Sequence, residues 1–293
     1  MDEIIAKPTI TKDIINRYKI KLNKTMGQNF LIDQNILHKI LNAANIDGDE
    51  FIIEIGPGIG SLTQFVLNKL DRGYLLAIEK DKKFSSILNN FFSKDNFELI
   101  EADALAINWS KLIINKNKSG KKLKVLANLP YYIASQIIIK LLETDLNINS
   151  MIFMVQREVA KRMVALPGTK DYSSLSIVIQ FYSKPEIISD VPPTVFIPNP
   201  DVYSSIIKLK PYNKPPYDFI NKNFFFKIVK SIFQQRRKNI KNSLLNSSLI
   251  NLDKKIILSA LREADINSRI RGEKLEIENI VKLSNILWRK VGE

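Results

Sequence analysis

The chain contains no cysteine and one histidine, His38, among 293 residues. Without thiols there is no disulfide, no thiolate zinc site and no cysteine nucleophile. A single imidazole cannot build a multi-histidine metal centre, and a serine triad would have only His38 to draw on. No metal site is expected, and His38 reads as a helix-surface residue without a chemical role. Long apolar runs are also missing. The most apolar helical stretch, Ile133 to Leu142, is interrupted by Ser135, Gln136 and Lys140, and a bilayer crossing needs about 20 apolar residues. Asp2 and Glu3 argue against a secretory signal. The expectation is a cytoplasmic protein with no membrane association.

Acidic residues are outnumbered, 30 Asp and Glu against 44 Lys and Arg, giving a net charge of +14 and a pI of about 9.6. Such an excess attracts polyanions because phosphate contacts release condensed counterions, although a lysine-rich surface can also serve only to stay solvated. The excess is uneven. After residue 211 there are 17 Lys and Arg against 8 Asp and Glu. A second cluster, Lys7, Lys12, Arg17, Lys19, Lys21 and Lys24, lies in the amino-terminal arm. An apolar fraction of 45% is enough for a packed core.

Short apolar strands alternate with amphipathic helices through residue 182. Strands are predicted at Phe51–Ile55, Tyr74–Ile78, Phe97–Ile100, Lys124–Ala127 and Met151–Val155. Helices are predicted at Ser61–Leu70, Lys82–Phe92, Ala134–Leu142 and Gln156–Met163. This alternation implies a parallel sheet covered on both faces. Ile187–Val191 and Val202–Leu209 are strand-like and separated by a loop with no room for a helix, so an antiparallel hairpin is predicted at one sheet edge. Pro211 to Asp218 reads as a linker. Helical patterns follow at Phe224–Phe233, Lys238–Leu245, Lys254–Ala264 and Glu276–Trp288. The organisation is α/β: a Rossmann-like domain over residues 1–211, then a small all-helical domain over 212–293.

Glu54-Ile55-Gly56-Pro57-Gly58-Ile59-Gly60 lies between the first predicted strand and a helix. Glycines suit a tight turn that a ligand must approach closely. Glu79, about 20 residues on, closes the second strand where a carboxylate commonly holds a ribose diol. A dinucleotide fingerprint needs a small third residue three positions after the second glycine, but here that place is Ser61 and the third glycine comes early, at Gly60. The spacing resembles the methyltransferase version, which favours S-adenosylmethionine over a dinucleotide or a plain structural turn. Asp103, past the third strand, can accept a hydrogen bond from the cofactor's adenine amine or can cap a helix.

Asn128-Leu129-Pro130-Tyr131 ends the fourth strand and matches the (D/N/S)-P-P-Y-like signature of enzymes that methylate exocyclic amines. The adenine amine is a poor nucleophile because its lone pair is delocalised into the ring. The Asn128 amide oxygen and the Leu129 carbonyl can accept its two hydrogens, which favours a pyramidal nitrogen with its lone pair aimed at the methyl donor. Pro130 stiffens the loop, and Tyr131 offers a face for a flipped base. An ordinary strand-to-loop turn with Tyr131 buried is the alternative. No strong base is needed, since the amine becomes acidic once methylated.

These residues together resemble the ribosomal RNA adenine dimethyltransferase family over nearly the whole chain, in its small-subunit branch. Gly27-Gln28-Asn29-Phe30-Leu31 is similar to the family's amino-terminal signature, and the resemblance implies cofactor contacts from Asn29, Leu31, Gly56, Gly58, Glu79, Asp103 and Asn128. Gln156-Arg157-Glu158-Val159-Ala160 is similar to the family's helix after the fifth strand. Pro193 to Pro200 resembles its P-x-x-F-x-P-x-P motif, which implies that Phe196 stacks on the target base opposite Tyr131. Asp201 stands where a lysine is frequent, and Ser173 where a glycine is usual. Leu129 and the run Gln235 to Lys241 favour the small-subunit branch over the macrolide-resistance enzymes that act on large-subunit RNA. That run, through Arg236, Arg237 and Lys238, is expected to be a helix facing RNA or else a solvated helix face. The resemblance implies N6-dimethylation of adenosines, two adjacent ones in a hairpin near the 3′ end of small-subunit rRNA, within a pre-ribosomal particle; nothing in the sequence demands more than a monomer. Competing readings are a ribosome-assembly checkpoint protein, a large-subunit RNA methyltransferase and a DNA adenine methyltransferase.

Overall fold

The computed structural model describes residues 3–21, 29–93, 95–235 and 237–291. Its strands are β1 (Phe30–Leu31), β2 (Phe51–Ile55), β3 (Tyr74–Glu79), β4 (Phe97–Glu101), β5 (Leu123–Asn128), β6 (Ile148–Gln156), β7 (Ser183–Val191), β8 (Phe196–Ile197) and β9 (Ser204–Pro211). Its helices begin with α1 (Pro8–Arg17), α2 (Gln34–Ala44), α3 (Ser61–Leu67), α4 (Lys82–Phe91), α5 (Trp109–Lys116), α6 (Ala134–Leu142) and α7 (Arg157–Val164). They continue with α8 (Ser174–Tyr182), α9 (Lys222–Gln234), α10 (Ile240–Leu245), α11 (Lys254–Glu263) and α12 (Ile277–Val291).

The main sheet has the order β4-β3-β2-β5-β6-β9-β7. Strands β4 through β6 run parallel, and β9 lies antiparallel to β6 at the start of the edge pair. This is the expected α/β architecture. Side chains alternate between faces along a strand, and here both faces are dry. Ile52, Leu75, Leu126, Ile152 and Ile206 pack on one side with apolar residues of α1 to α4, while Ile53, Val125, Phe153 and Ile207 are buried on the other. Each such side chain contributes roughly 1.5–3 kcal/mol by leaving water, which is why these strands read as continuous apolar runs. The amino end of the sheet holds a buried ion pair, with Lys124 Nζ 2.6 Å from Glu50 Oε1 and also donating to the Asn45 carbonyl.

Chain order reverses between β2 and β5. From β2 the chain winds outward through β3 and β4, and from β5 it winds the other way through β6. Loops leaving the carboxyl ends of β2 and β5 therefore diverge and open a crevice, the usual ligand site of such sheets.

The chain divides into two compact units, residues 1–160 with 184–213 and residues 161–183 with 214–293. The sequence pattern predicts a single boundary after residue 211, with 161–183 grouped with the sheet. That segment belongs to the helical unit because α8 is apolar around most of its surface and finds its partners there. Phe181 stacks on Phe225 at 5.0 Å and on Tyr217 at 5.4 Å, ring centroid to centroid. A second correction concerns the basic run 235–241. Among its described residues, Gln235 and Arg237 to Asn239 lie outside any helix, since α10 starts only at Ile240, where Asn239 caps it through the Asn242 N–H at 2.9 Å. Among the described residues no helix is long and apolar enough to cross a membrane.

Candidate active site

The crevice is a cavity of about 370 Å³ in the first unit, lined from the carboxyl ends of β2, β3, β4 and β5 and from the segment around β1. The β2–α3 turn forms one side. Gly56 has φ +66° and Gly58 φ +59°, left-handed conformations in which a side chain is strained. A Cβ on Gly56 would meet no other atom within 4 Å, so it would project into open space; one on Gly58 would touch Phe30 at 3.3 Å. Phe30 in turn packs edge-on against Phe84 at 5.6 Å, and both rings line the cavity.

Glu79, at the end of β3, is 7% exposed. Its Oε2 accepts the Gly58 N–H at 3.2 Å and its Oε1 accepts the Asp81 N–H at 2.8 Å. Burial raises its pKa, and the N–H groups of Asp81, Gly58 and Lys80 partly offset that. The carboxylate thus braces the glycine turn while bordering the cavity. Asp103, past β4, accepts from Lys80 Nζ and from the Leu105 N–H, both at 2.8 Å. The Lys80 contact leads in holding its carboxyl below the ordinary range. Glu54 is fully enclosed at the end of β2 and accepts the Thr63 hydroxyl at 2.7 Å. Burial pushes its carboxyl up to about 8, with the nearby Glu79 adding to the rise.

Asn128 ends β5 and lines the cavity. Its Nδ2 donates to the Asn29 carbonyl at 3.0 Å, which fixes the amide plane and leaves Oδ1 as the acceptor end. The Leu129 side chain is buried and its N–H donates to the Met154 carbonyl at 3.2 Å, so the backbone at the strand tip is held against β6. Pro130 and Ile133 close a tight turn through a 3.2 Å bond.

Of the residues singled out from the sequence, Asn29, Leu31, Gly56, Gly58, Glu79, Asp103, Asn128 and Pro130 come together around one cavity. Gly27, Gln28 and Arg236 lie outside the described residues. Arg237 and Lys238 are exposed and belong to the second unit. Tyr131 is half-buried and is not a wall of the cavity; its hydroxyl pairs with Ser204 Oγ at 2.7 Å. Phe196 differs most from expectation. It is 0% exposed, because β8 pairs antiparallel with β1, setting Phe196 opposite Leu31 and its ring in the core. In this arrangement Phe196 presents no face to a base, so the expected sandwich with Tyr131 is not formed. Lys80, Phe84 and Tyr132 also line the cavity, although no sequence motif singles them out. Lys80 directly follows Glu79 at a strand end, and that adjacency was the available signal. Tyr132 is 62% exposed beside its half-buried neighbour, a difference set by the turn and invisible to periodicity.

A family profile described as Ribosomal RNA adenine dimethylase matches residues 19–288. Ribosomal RNA small subunit methyltransferase A from Halothermothrix orenii is 51% identical over 294 residues, covering 100% of this chain and 97% of that protein. The protein of the same name from Alkaliphilus metalliredigens is 45% identical over 285 residues, 97% of this chain and 98% of the other. The crystal structure of a dimethyladenosine transferase from Plasmodium falciparum matches with a TM-score of 0.73 at 25% identity, across 90% of this chain and 98% of that one. With its motifs ordered along one cavity and this similarity spanning both units, the chain belongs to the ribosomal RNA adenine dimethylase family.

Proposed function

We propose that the protein dimethylates the N6 amine of adenosine in small-subunit ribosomal RNA, with S-adenosylmethionine in the β-sheet cavity and a pre-ribosomal particle as substrate. The observation that carries this reading is the Asn128 amide at the tip of β5, anchored through Nδ2 so that Oδ1 is the acceptor beside the cavity. The cofactor, when bound, supplies an electrophilic methyl group. The lining suits it: Gly56 opens space where any side chain would intrude, the buried Glu79 carboxylate would accept from a ribose diol, and Asp103 would have acceptor capacity for an adenine amine. Ile55, Ile78, Leu31 and Phe84 provide the apolar walls that a nucleoside needs.

Asn128 Oδ1 and the Leu129 carbonyl accept the two hydrogens of the target amine and draw it toward tetrahedral geometry. As the nitrogen–carbon bond forms, the donor's sulfur–methyl bond would break with its electron pair returning to sulfur as a neutral thioether, and the amine gains positive charge and releases one proton to solvent. The monomethylated amine keeps one N–H, which either acceptor can take, so the same pair serves both rounds. The names of the two relatives favour small-subunit over large-subunit RNA, and the exposed Arg237 and Lys238 suit phosphate contacts. The test is incubation with tritiated cofactor and small-subunit particles from cells lacking the enzyme. Digestion should release labelled dimethyladenosine; an unlabelled adenosine pool would end this reading.

A further inference from the structure

We propose that Tyr203 and Arg157 form a stacking shelf for the nucleotide that flanks the target adenosine. The proposal rests on the RNA reading above and adds a binding subsite to it. The Arg157 guanidinium lies over the Tyr203 ring, 4.8 Å from its centroid. Both groups face solvent, with Tyr203 45% exposed and the Arg157 side chain 42% exposed. Asp190 Oδ2 lies 3.9 Å from Arg157 Nη1, while its other oxygen accepts the Ser205 hydroxyl at 2.6 Å. The guanidinium is therefore held from one side by a carboxylate that is itself fixed to β9.

The position follows from strand register. Asn128 pairs with Met154 on β6, and Gln156 pairs with Ser204. Arg157 then donates its N–H to the Tyr203 carbonyl at 2.9 Å, continuing that ladder one step past the sheet. At about 3.3 Å per residue, Arg157 stands roughly 10 Å beyond Asn128 along the strand direction. The shelf is also tied to the catalytic loop, because Ser204, next to Tyr203, bonds the Tyr131 hydroxyl at 2.7 Å. A base placed at Asn128 must leave its own stack. The nucleotide beside it then needs a new stacking partner, and an exposed ring with a cation on it supplies both a π-face and charge for the adjoining phosphate.

The experiment compares wild type with Tyr203→Ala and Tyr203→Phe in methyl transfer to the same particles, alongside S-adenosylhomocysteine binding by calorimetry. The Ala variant should lose roughly tenfold in kcat/KM for RNA, mainly through KM. The Phe variant should keep most of the activity, and S-adenosylhomocysteine affinity should be the same in all three. Unchanged kcat/KM in Tyr203→Ala, or a Phe variant as impaired as Ala, overturns the shelf while leaving the methyltransferase reading intact. A wild type that yields no dimethyladenosine overturns both.

Discussion

Asn128 and Glu79 border the same cavity but act at different stages, and kinetics can separate them. Asn128→Ala removes an acceptor whose value is realised as the amine pyramidalises, so kcat should fall about 100-fold or more while S-adenosylhomocysteine still binds. Glu79→Ala removes the buried carboxylate proposed to hold the ribose. Its dissociation constant for the same ligand should rise about tenfold or more, read by titration calorimetry. Equal effects of both variants on binding would contradict this division. Glu54 makes a separate, pH-linked prediction. Its carboxyl titrates near about 8 in the folded protein against 4.5 as the reference, so between those values the native state holds a proton that the unfolded chain has released. Stability from the neutral form is complete below the lower value and is lost as pH rises through the upper one. Urea midpoints of Glu54→Gln should therefore gain on wild type from about pH 5 to about pH 8 and level off above it; a constant gap would assign the shift elsewhere.

At the scale of elements, the start of α3 is the sharpest case. Gly60 caps it at φ +91°, and a Cβ there would lie 2.5 Å from Phe92 Cε2. Gly60→Ala combines left-handed strain with a clash in the core and should cost about 1–3 kcal/mol in chemical denaturation. A variant as stable as wild type would mean that the turn adapts freely. Strand β2 and helix α6 were legible in the sequence to the residue, because the apolar run of β2 stops at Gly56 and that of α6 at Glu143. Helix α8 was not assigned: Ser-Leu-Ser-Ile-Val-Ile-Gln-Phe-Tyr has apolar residues on more than one face, and only its partners in the helical unit explain it. Strands β1 and β8 have two residues each, too few for any period to register. The same blind spot displaced Phe196, whose burial is decided by its pairing with Leu31. Residues at strand ends were legible because the chemistry and the strand boundary coincide there; Tyr132 and Phe84 were not, since their orientation comes from tertiary packing.

At the scale of the molecule, charge gives the measurable quantity. The net +14 implies that particle binding weakens steeply with salt, and each phosphate contact contributes close to one unit of slope in a plot of log affinity against log salt. The double variant Arg237→Ala/Lys238→Ala should lower that slope by about 1–2 and weaken binding without changing S-adenosylhomocysteine affinity. An unaltered slope would place the phosphate contacts on other residues. One link connects distant parts of the chain to the reaction itself. Asn128 takes its orientation from the carbonyl of Asn29, 99 positions earlier. Turning that amide over would set oxygen against oxygen, so a main-chain group dictates which end of the amide greets the substrate. Evolution can vary the side chain at position 29 without inverting the polarity of the strand tip, whereas a rearranged peptide there would switch a hydrogen acceptor into a donor and silence the enzyme with every catalytic residue still present.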